Sequence, residues 1–311
     1  MKSGPVVLLL FSFLIVIVGA LAQPFSNALA QKSNVLVSCN CVVFRMDDIQ
    51  DNYVDNAQIA AMNLFISKSQ PLSLALIMNE IGQDLKITGK VGEGSQIGLF
   101  ELGIHGWDHV DYTKLSESEQ KSTLQMANEK MMKIFGNTSD IFVQPYGYFN
   151  NDTIKAMKEL EIRILSAANF SENNFDKGRS IFNYTDSKIE ELSNSTENGS
   201  SSKDSQSIYH VPAMVSFKGY ENSKPAKVPL DHILSTVDDN IKKYGYSVIV
   251  FHPQDFMHTD ENGRIIEGSA INSTEFQDFE QLVDTMLSKN IRITTLSEIV
   301  GIEPRNYSYF N

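Results

Sequence analysis

Short apolar runs alternate with longer amphipathic segments about seven times along this chain, and few folds accommodate that rhythm. The apolar runs, at 35–43, 72–78, 97–104, 141–143, 162–165, within 209–217, at 247–251 and at 291–296, have the length and β-branched content of buried strands. The segments between them show helical spacing. Those at 54–68, 116–135, 230–244 and 274–288 are helices, Asp152 caps another, and a short closing helix starts at Ser297. Ser116 and Glu119 make a capping box, and Gly136 and Gly245 stop their helices. Residues 89–98, rich in glycine, read as a turn. Strands that alternate with helices imply a mostly parallel α/β sheet, closed or nearly closed as a barrel. The polar stretch 171–207 interrupts the rhythm as a solvated insertion loop within one domain, 34–311.

Charge and leader narrow the setting. A net charge of −12 and a pI near 5.0 exclude nucleic acid as a partner, because a phosphate backbone requires a basic face. Residues 1–22 carry Lys2, an apolar run and Ala20-Leu21-Ala22, the pattern of a secretory signal peptide cut before Gln23; an uncleaved membrane anchor is the alternative. Either places the body outside the cytoplasm, secreted or facing out from the cell surface, with membrane contact through the N-terminal segment alone. Asn-X-Ser/Thr at Asn137, Asn151, Asn169, Asn183, Asn194, Asn198, Asn272 and Asn306 fits a glycoprotein. Cys39 and Cys41 are the only cysteines. On an extended strand a bridge between them is strained, so they read as buried free thiols.

Polar side chains gather where strands end. Asp47 and Asp48 follow the first apolar run, and neighbours at a strand end point different ways and take different roles. His105 and His109 follow the third strand at the spacing of metal-binding pairs. One carboxylate with two histidines leaves a position for water, the catalytic pattern for zinc. Asp108, between them, is an alternative ligand or partner. Pro145-Tyr146-Gly147 and His252 follow two further strands. Histidine titrates near working pH and suits a catalytic acid. In barrels of this class the C-terminal strand ends build the site.

Taken in order, Asp47-Asp48, His105-x3-His109, Pro145-Tyr146-Gly147 and Val250-Phe251-His252 resemble the polysaccharide deacetylases (NodB homology domain, carbohydrate esterase family 4) over residues 35–300. The resemblance implies a distorted (β/α)7 barrel and the metal-dependent removal of N- or O-acetyl groups from sugars of a polysaccharide or surface glycan. It makes Asp47 the general base, Asp48, His105 and His109 the ligands of a divalent metal (zinc, with cobalt or nickel as alternatives), Tyr146 the donor of a backbone N–H to the oxyanion, and His252 the general acid. Two departures stand out. Val143 occupies the place of the arginine that pairs with the family's catalytic Asp, and 162–170 lack its Asp/Trp motif. Arg45 is then a candidate to set the Asp47 carboxylate. The departures leave two other readings open: a glycan-binding pseudoenzyme that keeps the metal site, and a deacylase of non-sugar amides or esters.

Overall fold

The computed structural model describes residues 39–167, 202–203, 208–221, 224–266 and 268–302. All belong to a compact unit spanning Val35–Asn311; a second unit, Met1–Asn34, which includes the segment expected to be a leader, lies outside the described residues. So does the 171–207 loop, apart from 202–203, together with the sequons at Asn169, Asn183, Asn194, Asn198 and Asn306.

In chain order the described strands are β1 (Cys41–Ile49), β2 (Leu72–Leu76), β3 (Phe100–Ile104), β4 (Ile141–Phe142), β5 (Ile164–Leu165), β6 (Ser202–Lys203), β7 (Tyr209–His210), β8 (Val215–Ser216), β9 (Lys218–Glu221), β10 (Lys224–Lys227), β11 (Tyr246–Phe251) and β12 (Arg292–Thr294). The described helices are α1 (Asp55–Ser67), α2 (Leu85–Gln96), α3 (Glu117–Phe135), α4 (Asn151–Glu159), α5 (Leu230–Tyr244), α6 (Ser273–Ser288) and α7 (Leu296–Val300). None of them is long and apolar enough to cross a membrane.

The main sheet runs β7-β5-β4-β3-β2-β1-β11-β8 in parallel, with β6 antiparallel on β7 and β12 beside the start of β1. One segment closes it. Val211 and Ala213 donate their N–H groups to Leu165 and Ala167 on the β5 side, and Met214 and Phe217 donate to Val248 and Val250 on β11. Counting that segment once, β1 to β5, the β7–β8 segment and β11 make the seven staves of a distorted (β/α)7 barrel.

Strand parity sorts the core into two layers. Cys41, Val43, Ala75, Ile141, Val143, Ile164, Val211, Val248 and Val250 fill the barrel, and Leu296, Ile299 and Val300 of α7 plug its base. Alternate residues such as Val42, Phe44, Leu74, Phe142 and Phe251 pack outward on the helices. There Phe279 of α6 lies 4.4 Å from the Phe251 ring and 5.0 Å from Phe256. At the base Glu101 accepts the N–H groups of Leu296 and Ser297 and the Ser73 hydroxyl, which satisfies the α7 N-terminus.

Several sequence expectations change. The glycine-rich stretch is helix α2, not a turn, because Asp84 caps it and Gly94 lets the Phe100 ring lie where a Cβ would stand. Asn150, not Asp152, caps α4, and its side chain accepts the Thr153 N–H. Cys39 and Cys41 are joined in a disulfide rather than free. The strand geometry assumed for them fails at Asn40, whose φ of +45° folds the chain so that the two cysteines meet. The α3 capping box and the Gly136 stop stand as expected.

Candidate metal and acid–base site

The first strand runs to Ile49, so Asp47 and Asp48 lie among its last three residues rather than beyond it. Arg45 and Asp47 share the inward parity of Cys41 and Val43. Regular alternation would send Asp48 outward into the helix layer. Instead the β1–β2 register slips between Met46 and Ile49, and Asp48 takes φ +62°. Such bulges re-aim side chains at sites. Here the slip brings both carboxylates to the same mouth of the barrel.

Three side chains converge there. Asp48 Oδ1 lies 3.2 Å from His105 Nε2 and 3.3 Å from His109 Nε2. Among the described residues these three form the one grouping able to hold a metal, with ligand atoms within 4.8 Å of one another. His105 Nδ1 lies 2.7 Å from the Val143 carbonyl and donates to it, which turns Nε2 toward Asp48. Asp48 Oδ1 is itself buried without a hydrogen-bond donor. Positive charge belongs between these groups, as a proton on the imidazole or as a bound cation. Two imidazoles and one carboxylate around that point fit a divalent cation, and the His105 bond to a carbonyl is the usual support of a ligating histidine. Burial, the largest influence, raises the Asp48 carboxyl, but His105, His252 and Gln254 together hold it well below the usual range. Burial, and then His105, keep the His109 imidazole below its ordinary value. Asp108 stands apart; it accepts from Asn79 Nδ2 at 2.7 Å.

Beside this triad Asp47 is held at both oxygens by Arg45, with Nε to Oδ1 at 2.8 Å and Nη2 to Oδ2 at 2.7 Å. Each residue is 4% exposed. The other face of the guanidinium donates to Ser166 Oγ at 2.7 Å and Ser166 O at 3.1 Å, and the Ser166 hydroxyl donates to Val211 O at 2.7 Å. An arginine on β1 thus supplies the partner of Asp47 that Val143 cannot, and Ser166 just after β5 anchors it.

His252 ends β11 and opens a one-turn segment, Pro253–Phe256. Asp255 Oδ2 accepts the His252 N–H at 2.8 Å and lies 3.8 Å from Nδ1. Burial, the largest influence, lowers the imidazole, but Asp255, Asp47 and Asp48 outweigh it and push its pKa up to about 9. With 31% of the side chain exposed, water screens part of that. From the same turn Gln254 Nε2 donates to Asp48 Oδ2 at 2.9 Å. Tyr146 stands in a left-handed turn, φ +60°, the residue 58% exposed and its ring centred 4.6 Å from that of His109.

The structure therefore gathers Asp47, Asp48, His105, His109, Tyr146 and His252 at one end of the barrel. Sequence reasoning missed Ser166, Gln254 and Asp255. A carboxylate three residues after a strand-ending histidine and proline is a capping pattern that points to Asp255. Nothing local marks Ser166 or Gln254, because their partners lie 121 and 206 residues away.

The polysaccharide deacetylase family matches residues 41–165, which contain the triad, Asp47, Arg45 and Tyr146. No curated protein sequence matches the chain. Among solved structures, a candidate polysaccharide deacetylase from Mycobacterium smegmatis is similar with a TM-score of 0.57 at 10% identity, covering 87% of this chain and 94% of that one. A family 4 acetyl xylan esterase from Clostridium thermocellum, in complex with a cobalt ion, has a TM-score of 0.50 at 12% identity over 85% and 93%. A CE4 family pseudoenzyme from Bacillus anthracis has a TM-score of 0.51 at 11% identity over 84% of this chain, which spans 65% of that protein. At these identities the likeness is one of fold, and it is the NodB-like barrel. The match to the polysaccharide deacetylase family model covers the first five strands of that barrel.

Proposed function

We propose that this protein is an exported, metal-dependent hydrolase that removes acetyl groups from N- or O-acetylated sugars of a polysaccharide or surface glycan. The observation that carries the reading is Asp48 Oδ1, buried without a donor and flanked by two imidazole nitrogens. Asp48, His105 and His109 would hold a divalent cation, with zinc first and cobalt or nickel as alternatives. Bound there, the cation would lower the pKa of a water and polarise an acyl carbonyl. Asp47 takes the proton of the attacking water, and Arg45 keeps its carboxylate in place. The Tyr146 N–H donates to the developing oxyanion. His252, protonated at neutral pH through Asp255, delivers a proton to the leaving nitrogen or oxygen. No covalent intermediate with the chain is required. The exposed Tyr146 ring offers a sugar a flat face at the mouth. The 1–22 leader supports export, with residues 34–311 as the single catalytic domain.

The test is acetate release from chitin oligomers and acetyl esters, with and without added Zn2+ or Co2+. Metal-dependent release supports the proposal, and Asp48→Ala, His105→Ala or His109→Ala should each abolish bound metal. Full metal occupancy in all three variants overturns the ligand set. Asp47→Asn should keep metal and lose turnover, and an active variant removes its role as base.

A second reading has its own support. Both oxygens of Asp47 are engaged by Arg45, which restrains a base, and the fold is shared with a pseudoenzyme. Glycan binding without release in that assay favours a metal-retaining binding module. Release confined to simple amides or esters favours a non-sugar deacylase.

A further inference from the structure

The Pro253–Phe256 turn does more than end β11. Its Gln254 reaches across to a residue on β1, and the parallel β1–β11 register, in which Met46 stands opposite Phe251, sets that reach. Asp48 has two oxygens, and they are treated differently. Oδ2 takes the Gln254 amide hydrogen at 2.9 Å. Oδ1 takes none and faces the two imidazoles. A carboxylate free to rotate can turn both oxygens to a cation. The Gln254 bond occupies one of them.

We propose that Gln254 is a positioning residue that restricts Asp48 to a single donor oxygen, so that the protein contributes three ligand atoms and leaves room for water and substrate. This rests on the reading that Asp48, His105 and His109 hold a divalent cation. The residue type suits the task. A lysine or arginine there would cancel the negative charge that draws the cation, and a carboxylate would repel Asp48. A neutral amide donor fixes the oxygen and leaves the charge intact. Because His252 and Asp255 stand on the same turn, one short segment sets both the acid and the geometry of a metal ligand on another strand.

The test uses the full chain stripped of metal, titrated with Zn2+ in competition with a chromophoric chelator, and the visible absorption of the Co2+-loaded protein. Gln254→Ala, and Gln254→Met as the volume-keeping variant, should each bind Zn2+ about 10- to 100-fold more weakly. Their Co2+ spectra should differ from wild type, while the melting temperature of the metal-free proteins stays at the wild-type value. Wild-type affinity in either folded variant overturns the proposal. A parallel fall in the metal-free melting temperature of both variants also overturns it, because the loss then belongs to the fold. A wild-type chain that binds neither ion sinks the cation reading itself; a metal-binding wild type with unaffected variants sinks only the role of Gln254.

Discussion

Arg45 and Asp47 take a positive and a negative charge out of water on one strand, two residues apart. Their pairing is bidentate and the spare guanidinium hydrogens reach Ser166, so neither charge is left uncompensated. Removing one partner strands the other. Arg45→Met should lower the unfolding free energy by about 3–5 kcal/mol, read by urea denaturation, and Arg45→Met with Asp47→Leu should recover most of it. Equal stability of Arg45→Met and wild type would show that the pair does not form. His252 offers a pH handle. Its pKa is raised, so the stability it contributes is present below its ordinary 6.5 and is lost as pH rises through about 9. A general acid must carry its proton, so kcat/KM should fall along an alkaline limb near pH 9. Asp255→Asn should move that limb down toward the ordinary histidine range; an unmoved limb would exclude Asp255 as the cause.

Helix α2 shows how little an element's composition reveals of its packing. Its glycines look alike in sequence but stand in different places. A Cβ on Gly94 would collide with the Phe100 ring, whereas one on Gly89 or Gly92 meets nothing within 4 Å. Gly94→Ala should therefore destabilise by about 1–3 kcal/mol through overpacking. Gly89→Ala should stabilise by about 0.5–1 kcal/mol, since alanine holds a helix better than glycine. Thermal unfolding of the two variants checks the contrast, and shifts of the same sign would refute it. The 39–41 disulfide makes the same point. Cysteine spacing argued against a bridge, and the left-handed Asn40 between them permits one.

Across the whole molecule, the fold and the proposed cation site are separable. Two apolar layers, one inside the barrel and one beneath the helices, hold the staves without any polar group from the triad. Stripping metal should leave the protein folded by circular dichroism. Adding Zn2+ at about 100 times its Kd should stabilise it by about 2.7 kcal/mol. Loss of folded signal on metal removal would make the ion structural instead. Closure of the barrel rests on one segment that pairs first with β5 and then with β11.

Alternation, helix caps and strand ends were written locally, and so the barrel, most elements and the set Asp47, Asp48, His105, His109, Tyr146 and His252 could be read in order along the chain. Period and capping depend on residues within a few positions of each other, which a sequence displays directly. Tertiary structure alone decided that Asp48 turns inward, since that needs a register slip against β2. It alone joined Arg45 to Ser166 and Gln254 to Asp48. The first bond spans the barrel from β1 to the end of β5 and the second links neighbouring strands, both between segments distant in the chain, and no local pattern encodes a contact that exists only once the sheet has curled.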